Sequence, residues 1–430
     1  MRKSDSEAEA PSTSGTGEQI AVDSSRRPLG WFWSGRFASA FGSALTTLIA
    51  PYYLAVVLHL DAVAVSLVMA GPVVATLLSP LYAGIIADSV DRKLLTISCD
   101  FLQFVLLVML GAITLWGPDG LLPFGIANFL LAIVSSVSAV GLMAGFPDIV
   151  GEDRLHAGNA RLQTFNTIAH SAGGLSGGAV MSFLGPFTAL IVNSLAYLMS
   201  SVSLLFTRWP NAKPHTVGKN KEPYMRRVAH GFVLVRKKPL LLVLVMTSTV
   251  ANFFITLSAV ALLWLLVREI QLPYFMYVLI LSIGSLGAAV GATLSFRIAS
   301  WTGSNQRAQL LSLSLYAVLL AGYTLLDGTG VATVIFAAAV DFGVGFVVSV
   351  YIVNNAVQQQ VLVPSTDRGS VGAVRSFGSA LAGVLGTASS GVLIALFTGR
   401  GTVVFCAIGL AMVALRFTFH VFRRAEVLDS

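Results

Sequence analysis

Three observations predict an all-α integral membrane protein whose twelve transmembrane helices form two pseudo-symmetric six-helix bundles. The 430 residues are 55% hydrophobic and only 11% charged, with a mean hydropathy of +0.80, far too apolar for an ordinary soluble domain. Apolar runs of about 20 residues, each able to cross roughly 30 Å of hydrocarbon as a helix, recur from Trp31 almost to the C-terminus. A long basic connection from Arg208 to Lys238 then divides these runs six and six.

The twelve runs cover approximately 31–58, 64–87, 94–116, 122–145, 158–183, 187–207, 240–266, 273–297, 308–326, 331–353, 371–397 and 402–422. Residues 1–28 are polar and rich in Ser, Gly and acid, which predicts a disordered tail, since such a stretch buries too little surface to fold. A cleaved signal is not expected, because an acidic stretch precedes the first run. The predicted bundles are 29–207 and 239–424, joined by a linker, 208–238, and followed by a short tail, 425–430. Within the linker, Met225, Val228, Phe232 and Val235 share one helical face. That spacing suits an amphipathic helix on the membrane surface, although a solvated linker has the same basic composition. Sliding the chain by 213 positions lays Ala160, Gly173 and Gly178 over Ala373, Gly386 and Gly391, a repeat expected where two like bundles bind a substrate between them and rock around it.

Charge sets the expected orientation. With a cytoplasmic N-terminus, the Lys and Arg residues gather in the tails, in the cytoplasmic connections and near the cytoplasmic ends of the runs, and only Arg268 and Arg400 fall in connections on the opposite side. This bias predicts both termini inside a cell membrane. A basic face toward anionic lipid explains the net charge of +7 without invoking nucleic acid. Cys99 and Cys406, the two cysteines, fall inside apolar runs and are read as packing residues.

The stretch GIIADSVDRKLL, from Gly84 to Leu95, concentrates Asp88, Asp91, Arg92 and Lys93 between the second and third runs. Gly84, Ala87, Asp88, Arg92 and Lys93 resemble the loop signature of the major facilitator superfamily, G-x-L-A-D-R-x-G-R-K; Ile86, Ser89 and Asp91 depart from it. The segments FPDIVGEDRLHAGNARLQTFNTIAHSAGGLSGG from Phe146 and VPSTDRGSVGAVRSFGSALAGVLG from Val363 are similar to the enterobactin-exporter and macrolide-efflux branch of that family. The resemblance implies the major facilitator fold and an alternating-access exporter driven by protons. It also implies gating by the loop: Asp88 facing the positive end of the helix that starts near Ser370, with Arg92 and Lys93 clamping the inner gate. A purely topological role for the two bases stays open.

The same resemblance extends to the fifth run, where family members carry G-x-x-x-G-P-x-x-G-G and this chain has Ala169, Gly173, Gly174, Gly177 and Gly178. Small residues there permit close helix packing. Gly174 in place of proline weakens the export signature, so a proton-coupled importer remains an alternative, as does a membrane sensor or assembly protein without transport. The G-x-S-x-G pattern around Ser176 does not point to a hydrolase, because a nucleophile elbow needs a strand before its turn.

Ionisable groups within apolar runs are costly and therefore candidates for function. Asp341, about ten residues into the tenth run, is the first candidate for carrying protons; a pair with Arg416 and a counter-charge for a cationic substrate are the alternatives. His170 is the second candidate, with a neutral hydrogen-bonding role as its alternative. Arg36 and Asp100 lie at similar depth and are a candidate ion pair. Phe165, Asn166, Asn252, Phe253, Phe342 and Phe377 are candidates for lining a mostly apolar central cavity suited to a bulky amphipathic compound. No phosphate-binding G-x-x-x-x-G-K-[ST] loop occurs, so the expectation is a gradient-driven monomeric carrier: no enzyme, no cofactor, no metal, with a small molecule, protons and lipid as its partners.

Overall fold

A computed structural model describes residues 26–116, 120–151, 155–207, 209, 224–364 and 367–428. The predicted tail up to residue 25 and most of the first half of the linker lie outside the described residues. Among these described residues eleven α-helices follow one another: α1 (Arg26–Tyr52), α2 (Ala62–Ser89), α3 (Arg92–Thr114), α4 (Leu121–Val150), α5 (Leu155–Phe206), α6 (Tyr224–Lys237), α7 (Pro239–Leu263), α8 (Tyr274–Trp301), α9 (Asn305–Tyr323), α10 (Val331–Leu362) and α11 (Arg368–Leu428). Among the described residues there is no strand, and nine helical segments are long and apolar enough to cross a membrane. The protein is therefore a multi-pass membrane protein.

The described helices do not appear as the expected twelve separate spans. The fifth and sixth apolar runs form one element, α5, and the eleventh and twelfth form another, α11. Each is interrupted by a single non-helical residue, Gly185 (φ 81°, ψ 172°) in α5 and Thr398 (φ 66°, ψ 172°) in α11. A connection reduced to one residue lets helical turns continue up to it from both sides, so no loop separates the two runs.

Helix starts follow from side chains that accept from the otherwise unpaired N–H groups of the first turn. Asp61 caps α2 through the Ala64 amide at 2.7 Å, Asp91 caps α3 through Leu94 at 2.9 Å, and Ser304 caps α9 through Arg307 at 3.2 Å. Asp91, which breaks the family's loop pattern, thus has a local structural task.

The 213-residue repeat is built into the backbone. Gly185 and Thr398, the two kink residues, are 213 positions apart and share the same ψ. α1 runs into a π-helical turn, Tyr53–Val57, and α7 into another, Trp264–Glu269. Each is followed by a residue with positive φ, His59 and Gln271, 212 positions apart. Close packing repeats too: a Cβ on Gly173 would lie 2.7 Å from the Phe41 carbonyl of α1, and one on Gly386 would lie 2.6 Å from the Phe253 carbonyl of α7.

The halves, α1–α5 and α7–α11, are joined unevenly. On the face that carries the α1–α2 and α7–α8 connections, one apolar core runs through both, with Leu45, Tyr53, Leu54 and Val65 from the first half and Leu265, Leu272, Tyr274 and Val278 from the second. Towards the opposite face the cores are separate. One holds Phe32, Trp33, Phe146, Leu204 and Trp209; another holds Val235 of α6 with Leu241, Val245, Val371 and Val374. The linker helix is thus fastened to the second half, where Gly231 packs against the Ser370 carbonyl and Tyr224 donates to the Ala373 carbonyl at 3.2 Å.

Candidate functional site

Among the described residues, the hydrogen bonds that join the halves all lie on the shared-core face. Arg268 donates to His59 Nδ1 at 3.1 Å and to the Leu60 carbonyl at 3.5 Å; Tyr274 donates to the Leu48 carbonyl at 2.7 Å and its ring stacks on Tyr52 at 4.2 Å. Glycines allow the rest of the seam. Gly178 of α5 meets Val278 of α8, where a Cβ would sit 2.6 Å from the valine Cβ, and Gly391 of α11 meets Ala62, Val63 and Ser66 of α2. Deeper in, Gly174 faces Ser282 and Gly383 faces Val73. Two of the four glycines read as a packing motif, Gly174 and Gly178, therefore touch the other half. Gly173 and Gly177 pack within their own half, against α1.

The charged turn sits on the opposite face. Arg92 is buried; its Nη1 donates to Asp148 of α4 at 3.4 Å and to the Ala144 carbonyl at 3.2 Å. Lys93 donates to the carbonyls of Leu205 and Thr207 at 3.1 and 3.0 Å, binding the free C-terminal carbonyls of α5. Both bases thus bond within the first half in this conformation. Gly84 and Asp88 lie in the last turns of α2, and the Asp88 side chain is outside the described residues.

Two buried carboxylates occupy different settings. Asp100, fully buried, accepts from Ser200 at 2.6 Å, Ser138 at 2.9 Å and Gln103 at 3.3 Å. No ion pair within contact distance joins it to Arg36, which donates to Ser39 at 3.4 Å. Asp341 accepts a 2.6 Å bond from Tyr323, and its other oxygen presses on Gly284 of α8, where any side chain would collide with it. Further glycine contacts, Gly287 on Phe342 and Gly291 on Phe346, bring α8 and α10 together along this seam. The suggested partner Arg416 lies elsewhere, in a groove with Leu242, Met246 and Val250 of α7. His170 is exposed on α5 and makes no hydrogen bond among the described residues.

Two cavities lie in the walls of the halves. One, of about 230 Å³, is lined in the first half by Ser43, Thr46, Thr47, Gln103, Asn128 and Tyr197 among others. The buried Gln103 Oε1 and Asn128 Nδ2 have no partner among the described residues. The other, of about 280 Å³, is lined in the second half by Asn252, Tyr351, Asn355, Arg375, Ser376 and Ser379 among others. Of the residues expected to line a central cavity, Asn252 lines one of these two, donating to the Ser379 carbonyl at 2.7 Å. Phe165 instead stacks on Trp33 at 5.5 Å under Arg161, and Phe253 stacks on Phe254 at 5.2 Å. Phe342 is 38% exposed, and Asn166 and Phe377 are half-buried without a place in either cavity. The sequence signal for the lining of these two cavities is the three-to-four-residue spacing of polar side chains, as in Ser43, Thr46 and Thr47, or Ser248 and Asn252, which puts them on one helix face.

Two alike helical halves with a seam at one face and polar cavities in their walls define a membrane carrier architecture. Residues 32–362 match the Major Facilitator Superfamily, and the chain belongs to this family of membrane transporters. No curated protein sequence matches the chain. The nucleoside transporter NupG has a similar structure, with a TM-score of 0.74 at 14% identity over 91% of this chain and 98% of that one. So has a bacterial homologue of the iron transporter ferroportin in an inward-facing state, with a TM-score of 0.68 at 16% identity over 90% and 98%. An auto-inhibited POT family peptide transporter gives 0.69 at 13% identity over 92% and 97%.

Proposed function

We propose that this transporter exports a bulky amphipathic compound, such as an antibiotic, siderophore or secondary metabolite, in exchange for protons. It does so from a cell membrane, with both termini in the cytoplasm. In this reading α5 and α11 each supply two spans, giving twelve, and the chain falls in the enterobactin-exporter and macrolide-efflux branch. The basic face is cytoplasmic by its charge. The seam then closes the outer side, and the substrate vestibule between the halves opens inward. Arg92 and Lys93 rest on their own half in this state and are released to reach the second half when the inner side closes, while Asp88 meets the start of α11.

The observation that carries the reading is the setting of Asp341. A carboxyl group with one hydroxyl donor, 6% exposed and wedged against the backbone of α8, is costly to leave charged. Proton uptake neutralises it, and a shift of α8 against α10 changes its surroundings, so the proton and the rocking of the halves are linked through one contact. His170, on α5, is the second candidate carrier. The substitution of Gly174 for the proline of the export motif favours uptake as the second reading.

Proteoliposomes with an imposed pH gradient and a panel of antibiotics and siderophores test both. The wild type should move substrate and protons in opposite directions. Asp341→Asn should insert and bind substrate but lose at least tenfold in proton-driven flux. Movement in the same direction would favour import, and undiminished coupling in Asp341→Asn together with His170→Ala would reject the assignment of these carriers.

A further inference from the structure

The cavity in the second half is chemically one-sided. Its lining comes from α7 (Ser248, Asn252), α10 (Tyr351, Asn355) and the first turns of α11 (Arg375, Ser376, Ser379). Arg375 is the sole ionised group among these residues, and no carboxylate faces it there. Among the described residues it makes no hydrogen bond and no ion pair. It lies about 10 Å into α11 at helical rise, in a setting where an arginine ordinarily has a partner.

Its neighbours sharpen the point. Tyr351 is 5% exposed, yet its hydroxyl has no hydrogen-bond partner among the described residues. Asn355 is already occupied, donating to Gln309 at 3.3 Å and accepting from Gln359 at 2.5 Å. Ser248 donates to the Val245 carbonyl at 2.9 Å. The groups left uncommitted among the described residues therefore include a guanidinium fork and a buried phenol, both donors, beside the Ser376 and Ser379 hydroxyls and the Asn252 side-chain oxygen. A buried donor without an acceptor costs free energy that an arriving acceptor recovers. A planar fork with a positive charge fits a carboxylate or a phosphate better than any neutral group.

We propose that Arg375 and Tyr351 form an anion-recognition subsite, which takes a carboxylate or phosphate group of the transported compound. This rests on the reading of the chain as a carrier that binds its substrate between the halves. The cavity in the first half differs: Ser43, Thr46, Thr47, Gln103, Asn128 and Tyr197 are all neutral. The substrate is accordingly polarised, with its anionic end on the second half and uncharged polar groups on the first.

Binding in the absence of any gradient tests the subsite separately from proton coupling and direction. Full-length protein in a neutral detergent is titrated at constant ionic strength with benzoate and phenyl phosphate, and with benzamide and benzylamine as neutral and cationic counterparts, followed by thermal stabilisation and equilibrium dialysis. The wild type should bind at least one anion tenfold or more tightly than benzamide. Arg375→Ala should remove that preference, Arg375→Lys should keep part of it, and Tyr351→Phe should weaken it several-fold with unchanged melting of the free protein. No anion preference in the wild type, or a preference that survives Arg375→Ala, overturns the proposal. A parallel arm adds phosphatidylglycerol to the micelles; Arg375-dependent stabilisation by that lipid alone would assign the arginine to a headgroup and reject the substrate subsite. A failure of Asp341→Asn to uncouple transport would leave the anion titration unaffected, so the two results are separable.

Discussion

The two halves repeat one backbone with different side chains. At the kink, the first half uses Gly185 followed by Pro186, a residue without a φ penalty and then one suited to a helix start. The second half puts Thr398 at the equivalent position, with φ 66°, and adds Glu269, whose carboxylate accepts from the amides of Gly399 and Arg400. The buried acids differ likewise. Asp100 in the first half is held by three neutral side chains, whereas Asp341 in the second has a single hydroxyl and presses on a neighbouring helix. The cavities divide into a neutral one and one with a cation. The backbone geometry is alike in both copies, while the settings of their buried acids and the charge of their cavity linings differ.

The strongest way to break this comparison is at the seam. Gly178 against Val278 and Gly391 against Ala62 and Ser66 are equivalent contacts, each between a late turn of one half and an early turn of the other. Gly178→Leu and Gly391→Leu should each hold the seam apart and cut transport at least tenfold while the protein still folds, because the blocked space lies between halves. Gly173→Leu, which intrudes on the Phe41 carbonyl within one half, should instead reduce folded yield. Labelling of cysteines placed near His59 would report the opened seam. Should Gly178→Leu transport normally with that region still protected, the seam is not part of the cycle.

Much of this was legible in the sequence and some was not. Apolar length revealed the spans, and the spacing of Gly173, Gly178, Gly386 and Gly391 revealed the repeat, because close helix contacts leave small residues at fixed positions. The linker helix was readable from Val228, Val235 and their neighbours. For Phe165 and Phe253 the sequence leaves the role open, because an aromatic in an apolar helix packs equally well in a core or on a cavity wall. Arg375 is hidden for a different reason: near the start of a span it reads as one more positive charge on the basic side, and only the surrounding helices show it without a partner among the described residues. Arg36 and Asp100 matched in depth, but depth leaves lateral position open, and Ser138 and Ser200 come from other helices.

The two acids offer a medium-sized test. Asp100→Asn keeps the shape but replaces one acceptor oxygen with a donor facing Ser138, Ser200 or Gln103. Mismatching one such bond in a buried network should cost about 1–3 kcal/mol, seen as a lower melting temperature in detergent with proton coupling preserved. If Asp100→Asn uncouples transport without loss of stability, the division of labour between the halves is reversed.

The smallest effect, and the finest test of the comparison, is at the kinks. A threonine at positive φ with extended ψ sits in a region essentially reserved for glycine, at a cost on the order of 1–3 kcal/mol. Thr398→Gly should relieve that strain and lose roughly 0.4–1 kcal/mol to the greater freedom of the unfolded chain, leaving a net gain of about 1 kcal/mol. Gly185→Thr should do the reverse and by more. The position 213 residues before Glu269 is Val56, so the first half has no carboxylate there to cap the helix after the bend. Glu269→Ala should then sensitise the second half to its own threonine, costing about 0.5–2 kcal/mol as a lost N-terminal cap, and adding Thr398→Gly to it should recover part of the loss. Equal responses to Gly185→Thr and to Thr398→Gly in sign, measured by denaturation of the purified variants, would show that the repeated bend is not what sets stability at these two residues.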